Sequence, residues 1–162
     1  MKEVFCFFRG RVIYRSFYDT EISMGNTSTG RLTVDYLGKC EGILKSLVNA
    51  GYKVYPVVLL GSDLLGRICR EYLKNIGCMT DYICREKEKT DFLFVLETGE
   101  SQRTVYRYIT ETPETECPEY MRCCRELCKN RKCIELLSGT DKITAAADEE
   151  EFGRLEELLR KE

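Results

Sequence analysis

The clearest fold signal in the chain lies in residues 51–81, GYKVYPVVLLGSDLLGRICREYLKNIGCMTD. Residues 54–60 form an apolar, β-branched run closed by Gly61, which predicts a buried parallel strand. Ser62 or Asp63 can cap a helix that follows this strand. The apolar stripe of that helix recurs at helical spacing and consists of Leu64, Leu65, Ile68, Cys69, Tyr72 and Leu73.

A second helix is predicted immediately before this strand, over residues 38–50. Its apolar stripe consists of Ile43, Leu44, Leu47 and Val48. Gly51 stands at the position where a left-handed C-cap ends a helix, and Gly77 ends the later helix in the same way. The alternation of helix and strand predicts an α/β fold.

The flanking sequence contributes further elements on both sides. The N-terminal part predicts β-strands over residues 4–8, 11–19 and 31–36, and residues 92–97 and 103–109 predict a hairpin that turns at Gly99. Residues 81–84 are expected to form a short extended piece, and residues 85–89 a solvated charge run. The C-terminal part predicts a Cys-rich helix over 118–130, a strand over 133–137 and an acidic helix over 148–161.

Composition and charge limit the classes of function. With 162 residues, of which 43% are hydrophobic, the chain can bury one core. Its 25 basic and 27 acidic side chains nearly balance, so nucleic acid and anionic membranes are not expected partners. We expect no signal peptide and a cytoplasmic location, because Arg9 and Arg11 interrupt the only N-terminal apolar run.

The chain has no histidine and ten cysteines. Any acid or base must therefore be Asp, Glu, Lys, Tyr or Cys. Cys124, Cys128 and Cys133 have a spacing that metal ligands can use, which leaves a zinc or redox protein as one hypothesis. The competing interpretation is that these cysteines pack as small hydrophobic side chains on the predicted helix, and no metal site is assigned.

A set of short motifs between Gly38 and Tyr108 is similar to one known family. They are Asn49-Ala50-Gly51 at a helix end, Gly61-Ser62-Asp63-Leu64-Leu65-Gly66-Arg67 after a strand, Lys74-Asn75-Ile76-Gly77, Thr90, and Gly99-Glu100-Ser101-Gln102-Arg103-Thr104 in a turn. In this order they resemble the ribokinase-like (PfkB) carbohydrate kinases, which transfer the ATP γ-phosphoryl group to a hydroxyl of a sugar or nucleoside.

The resemblance implies a particular architecture for residues 1–162. It predicts one domain with part of a Rossmann-like core and a small β-sheet lid, built from strands near residues 11–36 and 92–109. Family members are roughly twice as long, so the chain corresponds to the N-terminal, substrate-binding half. In the family the lid covers the sugar and often mediates dimers, so a homodimer through the lid is expected.

The resemblance also places the substrate site, with departures from the family pattern. Arg15 stands where the family has an Asp that binds sugar hydroxyls, and residues 37–42 replace a Gly-Gly-x-x-x-Asn motif, so the Asn position is Gly42. Arg15 cannot accept hydroxyl protons, and Gly42 offers no side chain. A sugar or nucleoside is expected in the cleft between lid and core, with these contact residues: Arg15, Gly38, Lys39, Gly42, Asp63, Thr90 and Arg103.

The family's catalytic motif, Gly-Ala-Gly-Asp at a helix N-terminus, has one faint counterpart. It is Ser138-Gly139-Thr140-Asp141, followed by an alanine run at 145–147. Asp141 is therefore a candidate catalytic base, and otherwise a helix cap; the same stretch also fits a mid-chain strand end of the family. ATP and Mg²⁺ are expected only in a complete, assembled kinase.

Three hypotheses follow from the sequence. The first is the substrate-and-lid half of a carbohydrate kinase, inactive in phosphotransfer as this chain alone. The second is a non-catalytic ligand-binding or oligomerisation module on the same fold. The third is the cysteine-based zinc or redox protein.

Overall fold

The computed structural model describes residues 2–18, 25, 29–38, 40–99, 102–109, 112–138 and 141–161. These residues form nine strands and four α-helices in the following chain order: β1 (Glu3–Phe8), β2 (Arg11–Tyr18), β3 (Arg31–Asp35), α1 (Cys40–Asn49), β4 (Lys53–Gly61), α2 (Leu64–Asn75), β5 (Ile83–Lys87), β6 (Asp91–Thr98), β7 (Arg103–Tyr108), α3 (Pro118–Cys128), β8 (Lys132–Ser138), β9 (Asp141–Ala147) and α4 (Glu149–Leu159).

The main sheet has five strands in the order β5-β4-β1-β9-β8. Strand β4 lies between two parallel neighbours, with Val4 opposite Val54 on one side and Val58 opposite Ile83 on the other. This confirms the predicted buried parallel strand at residues 54–60. Strand β9 is antiparallel to both β1 and β8.

Helices cover both faces of the main sheet, which makes the fold α/β as predicted. Helices α1, α2 and α4 bury Leu44, Leu73 and Leu155 against one face. Helix α3 covers the opposite face with Tyr120 and Leu127. Within the described ranges, no helix is long and apolar enough to cross a membrane.

A second, four-stranded sheet has the order β3-β2-β6-β7. Its strands β2 and β6 are parallel, and the outer pairs are antiparallel. Because side chains alternate along a strand, the cross-strand register separates two faces. We call one the aromatic face, which carries Tyr14, Phe92, Phe94, Tyr106 and Tyr108. We call the other the arginine face, which carries Arg11, Arg15, Arg31, Arg103 and Arg107.

Contacts within each face agree with this assignment. On the aromatic face, the rings of Phe92 and Tyr108 stack with centroids 4.3 Å apart. On the arginine face, Arg15 and Arg103 approach the carboxylate of Glu97 at 3.8 and 3.9 Å. The strands of this sheet lie where the resemblance predicts lid strands, whereas a lid function remains a prediction.

The charged segment 85–89 is only partly the solvated run that the sequence predicted: Glu86, Glu88 and Lys89 are exposed, whereas Arg85 is partly buried and Lys87 is buried. Its first half belongs to β5, which pairs with β4 at the edge of the main sheet. The carboxylate of Glu86 accepts hydrogen bonds from the backbone N–H groups of Glu119 and Tyr120, at 3.1 and 2.7 Å. Lys87 is only 7% exposed. Glu86 therefore helps to position helix α3, and Lys87 reaches into the core.

Residues 141–147 also differ from one sequence prediction. In one interpretation the alanine run belonged to a helix that Asp141 would cap. The structure instead shows strand β9 at these residues. Ala145, Ala146 and Ala147 are completely buried between the helices of the two faces. Small side chains suit a strand that is covered on both faces, and this packing overrides the helix propensity of alanine.

Candidate functional site

A cleft opens between the main sheet and the second sheet, at the carboxyl ends of β1 and β5. Arg9, in the connection from β1 to β2, lines two neighbouring cavities of about 170 and 370 Å³. Open α/β sheets generally bind ligands beyond the carboxyl ends of their parallel strands. We therefore take this cleft as the candidate binding site.

The smaller cavity is organised around an ion pair between Arg11 and Asp141. Both side chains are mostly buried, at 16% and 14% exposure. Gly38, which has a positive φ of 62°, lies beside this pair, and a Cβ atom there would lie 2.7 Å from the Asp141 carboxylate. Glycine is thus required both by the backbone conformation and by the close approach of Asp141. Leu37, Cys40 and Lys142 complete the lining.

The larger cavity is built on a buried ion pair between Lys87 and Asp91. Their charged atoms are 3.3 Å apart, and the side chains are 8% and 4% exposed. The Arg9 guanidinium reaches the same Asp91 carboxylate at 3.4 Å but is itself 51% exposed. The core side of this cavity is therefore fixed, whereas Arg9 extends towards solvent.

A third, small cavity of about 20 Å³ shares lining residues with both. It is lined by Arg9, Arg11 and Arg107 together with Asp91 and Ile109. Taken together, the cleft is lined by five cations, Arg9, Arg11, Lys87, Arg107 and Lys142, and by three carboxylates, Asp91, Asp141 and Glu114. The cleft is therefore locally basic, although the whole chain has a formal net charge of −2.

The one thiol in the cleft is not poised for nucleophilic chemistry. Burial, followed by the nearby Asp141 carboxylate, raises the pKa of Cys40 to about 12. A thiol rather than a thiolate is present near neutral pH, and the thiolate is the nucleophilic form. Cys40 is consequently not an activated thiol.

Asp63 and Thr90 form a separate structural unit below the cleft. Asp63 caps α2 by accepting a hydrogen bond from the Gly66 N–H at 3.0 Å, as the sequence predicted. Its carboxylate also accepts hydrogen bonds from the Thr90 hydroxyl at 2.7 Å and the Thr90 N–H at 3.0 Å. The Thr90 hydroxyl in turn accepts the Gly61 N–H at 2.9 Å. The Gly-x-Asp-x-x-Gly motif thus joins α2 to the start of β6.

The structure distributes the sequence-predicted substrate residues over several places. Gly38 and Asp141 meet in the cleft, whereas Arg15 and Arg103 lie together on the arginine face beside Glu97. Gly42 is exposed in α1, and Lys39 lies outside the described residues. Binding by any of these residues remains a prediction.

Sequence reasoning missed all five cleft cations: Arg9, Arg11, Lys87, Arg107 and Lys142. Arg11 and Asp141 are 130 positions apart, so no local spacing connects them. Lys87 lay in the segment interpreted as solvated. The only available signal was the alternation of arginines with apolar residues in β2 and β7, which places charge on one face of a strand.

The exposed thiols lie elsewhere, at the end of α3 and the start of β8. Cys128 and Cys133 are exposed, whereas Cys117 is buried. Among the residues that the structure describes, no three Cys, Asp or Glu side chains come together to hold a metal ion.

The structure at Asp141 does not match the nucleotide site that the family resemblance implies. In the family, the phosphates of ATP lie at the helix N-terminus that follows the Gly-Ala-Gly-Asp motif. Here Asp141 begins strand β9, so this position offers no helix N-terminal N–H groups.

The two sheets, their connections and the cleft define the α/β fold of ribokinase-type sugar kinases. Solved structures with this fold include a candidate sugar kinase from Clostridium perfringens, with a TM-score of 0.59 and 18% identity over 74% of this chain. A carbohydrate kinase from Agrobacterium tumefaciens matches with a TM-score of 0.54 and 16% identity over 67% of this chain. A fructokinase from Halothermothrix orenii matches with a TM-score of 0.50 and 17% identity over 78% of this chain.

This chain spans only part of the length of those structures. The matched region covers 38%, 36% and 54% of the three proteins, respectively. No protein-family model matches the sequence, and no curated protein matches it. The likeness therefore establishes the fold.

Proposed function

We propose that the chain is the substrate-binding and lid part of a ribokinase-type carbohydrate kinase, which binds a small sugar-class molecule in the cleft and does not transfer phosphate alone. The observation that carries this proposal is the cleft itself, because Arg9, Arg11, Gly38 and Asp141 converge there from separate parts of the chain. The named fold neighbours are sugar, carbohydrate and fructose kinases, which favours the same ligand class.

Three positions support the proposal that this chain alone does not transfer phosphate. Arg15 and Gly42 replace the Asp and Asn that hold sugar hydroxyls in the family. Asp141, the nearest counterpart of the catalytic base, precedes a strand and is paired with Arg11. The cleft keeps polar groups that can orient a ligand, without the helix N-terminus that supports a transferring phosphoryl group.

Thermal unfolding with added ligands tests this proposal. A ligand at 100 times its Kd stabilises the folded state by about 2.7 kcal/mol. For a chain of this size, this raises the unfolding midpoint by roughly 5–10 °C. We expect such a shift with at least one sugar or sugar derivative and none with ATP–Mg²⁺. A shift with ATP–Mg²⁺ would contradict the claim that the chain lacks a nucleotide site, and no shift with any sugar-class ligand would contradict the binding function.

A second function, self-association through the second sheet, is favoured by the aromatic face. Tyr106 and Tyr108 are 51% and 52% exposed, and Leu32 and Val34 on the same face are 59% and 38% exposed. An apolar sheet face of this kind gains stability when it is covered. We propose that a second copy of this chain covers it.

Light scattering on gel-filtered protein tests the dimer. The wild type should have the mass of a dimer at micromolar concentration, and Tyr106→Ser with Tyr108→Ser should have the mass of a monomer. Leu137→Ser is the matched control, because Leu137 is 79% exposed but lies on β8 of the other sheet. A monomeric wild type would overturn this second function and leave the ligand-binding proposal intact.

A further inference from the structure

We propose that Cys128 and Cys133 form a reversible oxidation site, in which hydrogen peroxide converts the two thiols into an intramolecular disulfide. Both thiols are free and exposed. Cys128 is the last residue of α3, and Cys133 lies in the first turn-proximal part of β8, the strand that follows. The site lies on the side of the main sheet that α3 covers, so it does not depend on ligand binding in the cleft.

The strand register places the Cys133 side chain on the α3 side of the main sheet. Cys133 lies opposite Ala146 in the antiparallel pair of β8 and β9. Directly opposed residues of two strands project to the same face. Ala146 belongs to the buried cluster that α3 covers, together with Leu127. The Cys133 thiol is therefore on the same side of the sheet as Cys128 at the end of α3.

Arg131 fixes the turn between the two cysteines. Its backbone N–H donates a hydrogen bond to the Cys128 carbonyl at 3.3 Å, and its side chain donates one to the Leu127 carbonyl at 2.9 Å. The same guanidinium lies 4.3 Å from the centre of the Phe5 ring and 3.4 Å from the Asp148 carboxylate. These contacts hold the end of α3 beside the start of β8, so the two thiols are kept close together.

The two thiols differ in protonation, which gives them different roles. Burial raises the pKa of Cys128, and so do the charge of Cys133 and a hydrogen bond between the two side chains. When the pair loses one proton, Cys128 therefore keeps its own and donates it in a hydrogen bond to the Cys133 thiolate. The thiolate is the form that attacks an oxidant, so Cys133 reacts first.

The reaction is a two-electron oxidation in two steps. The Cys133 thiolate attacks one peroxide oxygen, the O–O bond breaks, and the departing hydroxide takes up the proton that Cys133 released, which gives water and a sulfenic acid. The Cys128 sulfur then attacks the Cys133 sulfur, an S–S bond forms, and the hydroxyl group leaves with the Cys128 proton as a second water. Two thiols and one peroxide thus give one disulfide and two waters, and an added thiol reverses the change by exchange.

The other thiols are less suited to this reaction. Cys84 and Cys123 also form a hydrogen-bonded pair, but both are half-buried, and burial raises the pKa of Cys84 to about 12. Five further thiols are buried: Cys6, Cys40, Cys69, Cys78 and Cys117. The inference therefore predicts one disulfide rather than general oxidation of the cysteines.

Tryptic peptide mapping after peroxide treatment tests the inference. Trypsin cleaves after Lys and Arg, and Lys129, Arg131 and Lys132 separate the two cysteines. The folded protein is treated with a small molar excess of hydrogen peroxide, the remaining thiols are alkylated, and the digest is analysed by mass spectrometry without reduction. We expect peptide 126–129 linked to peptide 133–142, and dithiothreitol should separate them. Cys123 and Cys124 lie on another peptide, 123–125, so other pairings are distinguishable.

Two single variants test the assigned roles, with dimedone present during oxidation to label sulfenic acids. Cys128→Ser should be labelled at Cys133, whereas Cys133→Ser should carry severalfold less label at Cys128. Cys123→Ser is the matched control, because it removes a half-buried thiol from the same helix and should leave the disulfide unchanged. Circular dichroism should verify that each variant is folded.

Each outcome supports or overturns the oxidation site. Absence of the linked peptides, whether the two thiols stay reduced or become sulfinic acids, would overturn it. A disulfide that joins two copies of the chain, seen as a dimer on a non-reducing gel, would also overturn the intramolecular site. Stronger dimedone labelling of Cys128 than of Cys133 would overturn the assigned roles. None of these results bears on sugar binding, which the proposed function concerns.

Discussion

The carboxylate of Asp63 accepts a hydrogen bond from the hydroxyl of Thr90 at 2.7 Å, although 27 positions separate the two residues. This contact ties the N-terminus of α2 to the loop before β6, and so ties the main sheet to the second sheet. The cleft lies where these two sheets meet. Its shape therefore depends on the contact between Asp63 and Thr90.

Removing either partner of this contact should destabilise the fold. Thr90→Val keeps the shape of the side chain but removes the hydrogen bonds of the hydroxyl with the Asp63 carboxylate and the Gly61 N–H. Asp63→Ala removes the contact with Thr90 and also the cap of α2. We expect each change to lower the free energy of unfolding by about 1–3 kcal/mol. Urea denaturation measures this loss, and an unchanged midpoint in both variants would contradict the assigned role.

The same carboxylate predicts a pH dependence of stability. Burial raises the pKa of Asp63, but hydrogen bonds from Thr90 and Gly66 outweigh this effect and lower the pKa overall. A lowered pKa stabilises the folded state above the pKa of an unfolded Asp, about 3.9, and this contribution disappears as the pH falls through the folded pKa. The stability difference between wild type and Asp63→Asn should therefore shrink below about pH 4. A difference that is constant from pH 7 to pH 3 would refute this prediction.

Two glycines in helices should respond in opposite directions to alanine. A Cβ atom at Gly66 would lie 2.0 Å from the Gly61 carbonyl oxygen, whereas at Gly153 it would meet no atom within 4 Å. Gly66→Ala should cost about 1–3 kcal/mol of stability, because the backbone must move. Gly153→Ala in α4 should raise the free energy of unfolding by about 0.5–1 kcal/mol, because alanine loses less backbone entropy on folding than glycine does. Thermal unfolding of the two variants checks both signs.

Much of the main sheet and its helices was predictable from the sequence. The apolar run of β4 is long, and the cap, stripe and terminating glycine of α2 are local signals that agree with one another. Strand β5 was predicted only at its start, as part of the extended piece 81–84, because the partners of its charged residues Arg85, Glu86 and Lys87 are not evident from the local sequence. Strand β9 was missed because burial on both faces outweighs the local preference of alanine.

The buried pair of Lys87 and Asp91 should be sensitive to the loss of its cation. Lys87→Met removes a cation from a carboxylate that is 4% exposed, which typically costs about 3 kcal/mol or more. Lys142→Met is the control, because its 2.6 Å pair with Glu135 is solvent-exposed and should be worth less than about 1 kcal/mol. The two losses, measured by urea denaturation, should differ severalfold; equal losses would mean that the Lys87 pair is not buried in solution.

The cysteines should fall into fast and slow classes towards an aromatic disulfide reagent at pH 8. Cys128 and Cys133 are exposed and should react first, although burial and then the neighbouring Cys133 raise the pKa of Cys128. Cys6 should react only on unfolding, because complete burial raises its pKa strongly. Replacing Cys128 and Cys133 by Ser should remove the fast phase. Survival of that phase would show that other thiols are accessible.

The candidate site was less predictable than the fold. The sequence placed Gly38 and Asp141 among the candidates, and both line the cleft or its rim. It also predicted a ligand role for Asp63 and Thr90, which stays a prediction; the structure shows a hydrogen-bonded contact between them. The location of Arg9 and Arg107 at the cleft depends on the strand register and on the packing of the two sheets. Neither can be predicted from a local sequence pattern.

The most direct test of ligand binding between the two sheets is amide chemical-shift mapping of the labelled chain during titration with glucose and glucose 6-phosphate. We predict saturable changes concentrated at residues 9–11, at Leu37 and Gly38, and at Leu93 of β6, with the α3 amides unaffected. Changes confined to α3 or to the aromatic face, or no saturable change with any sugar or sugar derivative, would contradict the account.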